Sequence, residues 1–319
     1  MKKTLFCVIL GLLTVAVISC KKDDDDTTKP TLSGLVLESD HTTFMGEGTE
    51  IHVKANIDDL VSSDGKTFPE TIGIYFVLNS GDRDTTTRDA KKSNPTKTFK
   101  LDEAGNYTVY CYAYGGSEFY NASASVSFVV VNPQTALSGL PELPTVEIGG
   151  KTFRTAEIGG KTWMANNLFG TESGSNYQNS PILSSLFGQY YTWTEAQTAC
   201  PAGWHLPSAQ EFDDCLGNIA GSLMVNAQFV DVDMWNYWPQ VPITNASKFC
   251  AIPVGYRDFT LEKTPEDGYK QYACFWTSSC DDNNMGEFRY IYEQNNTVMK
   301  GKADINTFAT SVRCVKNAD

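Results

Sequence analysis

The sequence predicts two folded units in one chain: an all-β sandwich, then an α+β domain. Three observations carry this. Apolar and polar residues alternate over short stretches within residues 32–132, the period of strands with one buried face. Two S/T-x-x-E/Q boxes, "TEAQ" from Thr194 and "SAQE" from Ser208, mark helix starts further on. Glycine, tyrosine and phenylalanine number 25, 15 and 17 among 319 residues, while long helical patterns are scarce, which favours strands elsewhere.

The chain opens with "MKKTLFCVILGLLTVAVISC", two lysines and an apolar run too short to span a membrane with flanks. Residues 1–19 are therefore expected to be a secretory signal peptide. The run ends in Val17-Ile18-Ser19-Cys20, which resembles a bacterial lipobox and implies cleavage before Cys20 and lipidation of its thiol. "KKDDDD" follows, a solvated spacer within a tether over residues 20–31. It also resembles the export signal of Bacteroidota-type surface lipoproteins. The expected location is the outer membrane, lipid-anchored and facing outwards. A formal net charge of -13 opposes phosphate backbones, so no nucleic-acid partner is expected.

Residues 32–132 alternate in "EIHVKANI", "TIGIYFVLN", "GNYTVYCYAY" and "SVSFVVV", with turn clusters such as "SSDG" and "NSGD" between them. This is the pattern of an antiparallel sandwich. "FKLDEAGNYTVYCYA" resembles the late strand pair of immunoglobulin-like or PKD-like domains. Cys111 is alone in this stretch, so it reads as a small buried apolar residue. Tyr110, Tyr112 and Tyr114 share the other face of their strand, where cross-strand packing is the ordinary use and ligand stacking the alternative.

Residues 133–145 read as a proline-containing linker before a C-terminal domain over 146–319. A short repeat follows, "EIGGKTFRTA" from Glu147 and "EIGGKTWMAN" from Glu157, and reads as a β-hairpin with Phe153 and Trp163 at matching positions. The two capping boxes then flank "ACPAGWHLPSAQEF", so Cys200-Pro201 ends one helix and Ser208 starts the next. "FCAIPVGYRDF" and "YACFWTSSC" read as buried strands, and "EFRYIYEQNNT" with "TFATSVRCVK" as a final hairpin.

"IGGKTWMANNL", "GQYYTWTEAQTACPAGWHLPSAQEF", "VGYRDF", "FWTSS" and "SVRCVK", in that order, resemble the Fibrobacter succinogenes major paralogous domain over about 145–319. The resemblance implies a C-type lectin-like fold, with the cysteine ending the first helix bonded to one in the last strand. Cys200 and Cys314 occupy those positions. Trp204 would then fill the core beside the bridge, and a disulfide-bonded Cys200 offers no thiolate for His205 to activate.

Seven cysteines remain once Cys7 is cleaved off and Cys20 is lipidated, an odd number, so at least one stays free or pairs between chains. There is no CxxC and the three histidines are scattered, so no zinc site is expected. "CDDNNMGE", 280–287, offers oxygen ligands for calcium but lacks the spacing of a defined calcium loop, and no lectin-type calcium tripeptide is present, so no cofactor is expected. No nucleophile elbow, phosphate loop or zincin motif occurs, and no catalytic residue is assigned. Ligand contacts are expected in the loop around 229–245, where Trp235, Tyr237 and Trp238 supply stacking faces and Asp231 and Asp233 supply acceptors. Packing of those rings onto their own domain is the competing reading. The expected function is a non-catalytic binding or adhesion module for a glycan or a protein, held to the membrane by its lipid. The alternatives are an enzyme or maturation factor with a formylglycine-generating-enzyme-like fold, and a subunit of a surface assembly.

Overall fold

The computed structural model describes residues 31–41, 43–65, 72–80, 83–89, 94–115, 121–236, 241–261 and 266–318. The leader, Cys20 and the tether before residue 31 lie outside the described residues, as do Tyr237 and Trp238. Among the described residues 47% are in strands and 11% in helices. No helix among them is long and apolar enough to cross a membrane. The chain divides into two compact units, one reaching His41 and resuming over Gly48–Val129, the other made of Thr42–Glu47 and Val130–Asp319.

The first unit is all-β, as its alternation predicts. Its main strands are β1 (Val36–Ser39), β2 (Thr49–Asn56), β3 (Gly73–Ser80), β4 (Arg83–Asp89), β5 (Thr96–Leu101), β6 (Gly105–Tyr114) and β7 (Ala122–Val131). One sheet runs β1-β2-β5 and another β7-β6-β3-β4. Period two in sequence becomes period two in burial: Ile51, Val53 and Ala55 are sealed inside, while His52 between them is exposed. Val109, Cys111 and Ala113 form the inner face of β6. Cys111 carries no disulfide, and burial pushes its thiol pKa up to about 12, so it is an apolar filler at neutral pH. On the outer face Tyr112 stacks on Tyr75 of β3 at 4.8 Å, and Tyr114 meets the same ring at 6.2 Å. Those two rings of the tyrosine row are thus engaged in cross-strand packing.

The second unit corrects the expectation of an α+β, C-type lectin-like domain: it too is mainly β, and the four α-helices among its described residues span only 4 to 8 residues. Three strands, β8 (Thr145–Ile148), β9 (Lys151–Ile158) and β10 (Lys161–Met164), form a meander rather than a single hairpin. Each Gly-Gly pair makes a two-residue turn, and all four glycines have positive φ of 57–77°, which the primed hairpin turns require. The repeat therefore places Phe153 and Trp163 in two different core clusters.

The helices α1 (Pro181–Phe187), α2 (Trp193–Ala199) and α3 (Ala209–Leu216) are each stopped early. Gly188 with φ 89° ends α1, Pro201 follows the extended Cys200 after α2, and Gly217 with φ 65° ends α3. The predicted box at Ser208 is realised, with Glu211 at the third helical position. The one predicted at Thr194 is displaced by two residues: Thr192 caps α2 and Glu195 reaches back to it. Both boxes satisfy the spacing rule, and Thr194 instead faces the Ile305–Asn306 turn.

The remaining strands are β11 (Gln189–Thr192), β12 (Trp204–His205), β13 (Tyr256–Asp258), β14 (Tyr272–Cys280), β15 (Met285–Tyr292), β16 (Met299–Asp304), β17 (Phe308–Thr310) and β18 (Val315–Lys316). The predicted final hairpin is re-paired: β15 lies between β14 and β16, whereas β17 joins β11 and β13, and β18 joins β10 and β12. "FCAIPVGYRDF" forms a regular strand only over Tyr256–Asp258. Residues 249–255 are buried but irregular, and Cys250 has φ 57°. Trp163 is fully buried between Phe212 and Phe249, at 5.8 and 6.0 Å, so α3 and the irregular segment close over the meander.

Candidate functional site

A polar cleft of about 790 Å³ opens where the β9–β10 turn, the start of α3 and the end of β18 come together. Local sequence explains each wall. Lys161 follows the second Gly-Gly turn. His205 lies on β12, which pairs with β18 in the register His205–Val315. Glu211 is held at the third position of α3 by its capping box. Cys200 and Cys314 form a disulfide with a Cα–Cα distance of 5.9 Å, as the family resemblance implied. That bond ties the end of α2 to the residue before β18, so it fixes the strand that carries Lys316 and Asn317 into the cleft.

His205 is held from both sides: Nδ1 lies 2.7 Å from Asn317 Oδ1, and Nε2 lies 3.0 Å from Glu211 Oε2. Glu211 also accepts from Lys161 Nζ at 2.5 Å and from the Ser208 amide at 3.3 Å. Burial alone would raise the Glu211 pKa. Hydrogen bonds from Lys161 and His205 outweigh it and hold the carboxyl below its ordinary range. A depressed carboxyl contributes stability above its unfolded pKa and loses it on protonation, so this clasp is complete at neutral pH and fails in acid. The next turn of α3 is pinned to the sheet by Asp213, whose oxygens accept from Arg289 Nε at 2.7 Å and Nη2 at 3.0 Å. The cleft walls are thus preset before any ligand arrives.

The cleft is lined by donors and acceptors that already engage one another. Both ring nitrogens of His205 are engaged, and Cys200 is oxidised. Cys215, half-buried on α3, has its thiol pKa raised by burial despite nearby Lys161, so it is a thiol at neutral pH.

The aromatic loop predicted to bind ligand is only partly described. Trp235 is 3% exposed, packs in the cluster around Trp163 and donates Nε1–H to the Val225 carbonyl at 3.1 Å. Its ring is not a stacking surface. Asp231 and Asp233 are exposed; Asp231 has φ 59°, and Asp233 accepts from Gln228 at 3.0 Å. Trp235→Ala is expected to cost about 3–5 kcal/mol of stability, read by chemical denaturation. A variant of unchanged stability would return this ring to the surface.

In "CDDNNMGE", Asp281 accepts from the Asn283 and Met285 amides at 2.9 and 3.0 Å and from Lys302 at 3.1 Å, the bonds of a capped turn. Among the described residues no three His, Cys, Asp or Glu side chains are grouped to hold a metal ion. Cys274 is buried, Cys280 is exposed, and neither is in a disulfide. The structure also shows a pairing that spacing concealed. His41 and His52, eleven residues apart, each place Nδ1 2.8 Å from one oxygen of Asp40.

No curated protein matches the chain. One solved structure similar to it is a family 76 glycoside hydrolase from a bovine Bacteroides thetaiotaomicron strain. The match has 12% identity and a TM-score of 0.22, and covers 53% of this chain and 32% of that one. The chain thus spans about a third of that enzyme's length, and the likeness is too slight to transfer fold or activity. The model of the Fibrobacter succinogenes major domain matches residues 156–316, from the meander through the disulfide to the last strand. With just over half of its length inside that match, this chain belongs to the Fibrobacter succinogenes major domain family.

Proposed function

We propose that this protein is a lipid-anchored, outward-facing binding module whose polar cleft takes a glycan or protein ligand without turning it over. The observation that carries this reading is the engagement of His205 on both sides, by Asn317 and Glu211, inside a cleft whose nearest cysteines are a disulfide and a protonated thiol. A general base needs a free nitrogen aimed at its substrate. A binding surface needs only fixed donors and acceptors, and Gln210, Asp214, Lys316 and the outer edge of Lys161 supply them around the rim. The membrane part of the proposal rests on the lipobox ending at Cys20 and the charged spacer after it.

The test uses the full chain carrying Cys20→Ala, which should leave the membrane fraction. Applied to glycan and protein arrays, it should capture a ligand of unchanged mass. Adding Gln210→Ala and Lys316→Glu should weaken capture about tenfold or more. Chemical conversion of the captured ligand, or capture indifferent to both substitutions, would reject the cleft as a binding site. In intact cells the native chain should be removed by added protease; full protection would reject the outward orientation.

A further inference from the structure

The sheet of β14, β15 and β16 has a second face, opposite the one that carries Arg289. Side chains alternate along a strand, so Phe288, Tyr290 and Tyr292 of β15 share that face. Their registered neighbours on β14 are Trp276, Cys274 and Tyr272. Trp276 and Cys274 are buried, but Tyr272, Phe288, Tyr290 and Tyr292 are only half-buried, as are Tyr256 and Phe308 alongside.

These rings form a closed circuit. Tyr256 meets Tyr272 at 6.2 Å, Tyr272 meets Tyr290 at 6.2 Å, and Tyr290 meets Phe288 at 5.6 Å. Phe288 then stacks on Phe308 at 5.2 Å, and Phe308 on Tyr256 at 5.1 Å. Tyr292 extends the circuit, stacked on Tyr272 at 4.8 Å with 14° between planes. Two glycines let the rings lie down on backbone: a Cβ at Gly301 would sit 2.3 Å from the Phe288 ring, and one at Gly268 2.7 Å from Tyr272. The floor is therefore prearranged.

Its chemistry is specific. No ring in the circuit is charged. Among the described residues, the hydroxyl of Tyr256 donates to Asp267 at 3.2 Å, whereas those of Tyr272, Tyr290 and Tyr292 donate to nothing. A half-exposed run of rings with unspent phenols is incomplete as a core and suited to a ligand with flat C–H faces and a hydroxylated rim. On a chain of net charge -13, neutral rings bordered by the Asp267 carboxylate suit an uncharged ligand and disfavour a polyanion.

We infer that this aromatic floor is a stacking site for a neutral glycan chain, separate from the polar cleft. The cleft adjoins the far end of β14, where Ser279 Oγ accepts from the Ala209 amide. From Tyr272 to Ser279 the strand rises roughly 23 Å.

The test is affinity electrophoresis of the full chain carrying Cys20→Ala. The gels would hold galactomannan, mixed-linkage β-glucan or xyloglucan, with alginate as the polyanion control. Retardation is expected in at least one neutral gel and not in alginate. Tyr290→Ala and Tyr292→Ala should each weaken it about tenfold. Tyr290→Phe and Tyr292→Phe keep the rings and the fold, and should give a smaller loss from the missing hydroxyls. If an alanine variant fails to fold, this pair decides. No retardation in any neutral gel, equal retardation in alginate, or retardation untouched by the folded tyrosine variants would overturn the inference. So would concentration-dependent dimerisation in sedimentation that Tyr292→Phe or Tyr292→Ala abolishes, which would make a second copy the occupant.

Discussion

Replacing Arg313 with leucine is expected to destabilise the second unit by about 3–5 kcal/mol, a fall of about 10 °C in Tm at this size. Arg313 is 1% exposed and, among the described residues, has no carboxylate partner. Instead its guanidinium donates to Asn167 Oδ1 at 2.7 Å and to the carbonyls of Met164, Phe249 and Cys250 at 3.2, 2.6 and 3.0 Å. The cation also lies 4.6 Å from the Phe249 ring centre. Burial lowers its pKa to about 9, still well above neutrality, so the charge persists at pH 7. The residue gathers carbonyls from the irregular 249–250 turn and from the end of β10, neither of which finds a ladder partner for those groups. Leucine is shorter than arginine and carries no donor, so it would strand all four acceptors. Arg313→Lys should lose less, about 2 kcal/mol, because one ammonium cannot reproduce the planar fork. Guanidinium unfolding of the three proteins measures this. A leucine variant within 1 kcal/mol of the parent would show that water reaches these carbonyls.

Removal of the Cys200–Cys314 bond is the second large effect expected. The two residues are 114 apart in sequence, and on the chain-entropy model closing such a loop stabilises by about 4–5 kcal/mol. Cys200→Ala with Cys314→Ala should approach that loss. It should also weaken ligand capture at the cleft, since β18 would lose its covalent tie to the end of α2 while Asn317 still relies on it to meet His205. Peptide mapping without reductant should find this pair bonded and Cys111 free. A double variant as stable as the parent would mean that the pairing of β12 with β18 holds the strand without the bond. A Cys200 that alkylates rapidly in the native protein would revive a catalytic role for His205.

Much of the architecture was legible along the chain. Alternation located β2, β3 and β6, because a strand with one buried face writes its period directly into the residue order, whereas β14 read as a buried strand and has Ala273 to Thr277 all buried. The Ser208 box located α3 for a similar reason: its bonds span three residues and need no distant partner. The Cys200–Cys314 pairing came through family resemblance, since seven candidate cysteines leave the connectivity open to spacing arguments.

The misses have two causes, contacts made at long range and helix stops set close by. Thr192 rather than Thr194 caps α2 because the Ile305–Asn306 turn occupies the Thr194 hydroxyl, a contact over a hundred residues away. Trp235 looked like a binding ring in a prolyl loop, but the Val225 carbonyl and the Trp163 cluster bury it. The α+β expectation overweighted two good helix starts, when glycine and proline end each helix within about two turns. The sequence by itself determined where the alternating strands lie and where the Ser208 cap starts α3, for these depend on neighbours within a few residues. Only the tertiary structure decided which strands pair, that Arg313 is sealed among carbonyls, that two distant histidines share Asp40, and that tyrosines from β13, β14 and β15 meet in one floor. Each of those depends on which distant segments pack together, and that is decided by the burial energy of the whole unit rather than by any short stretch of it.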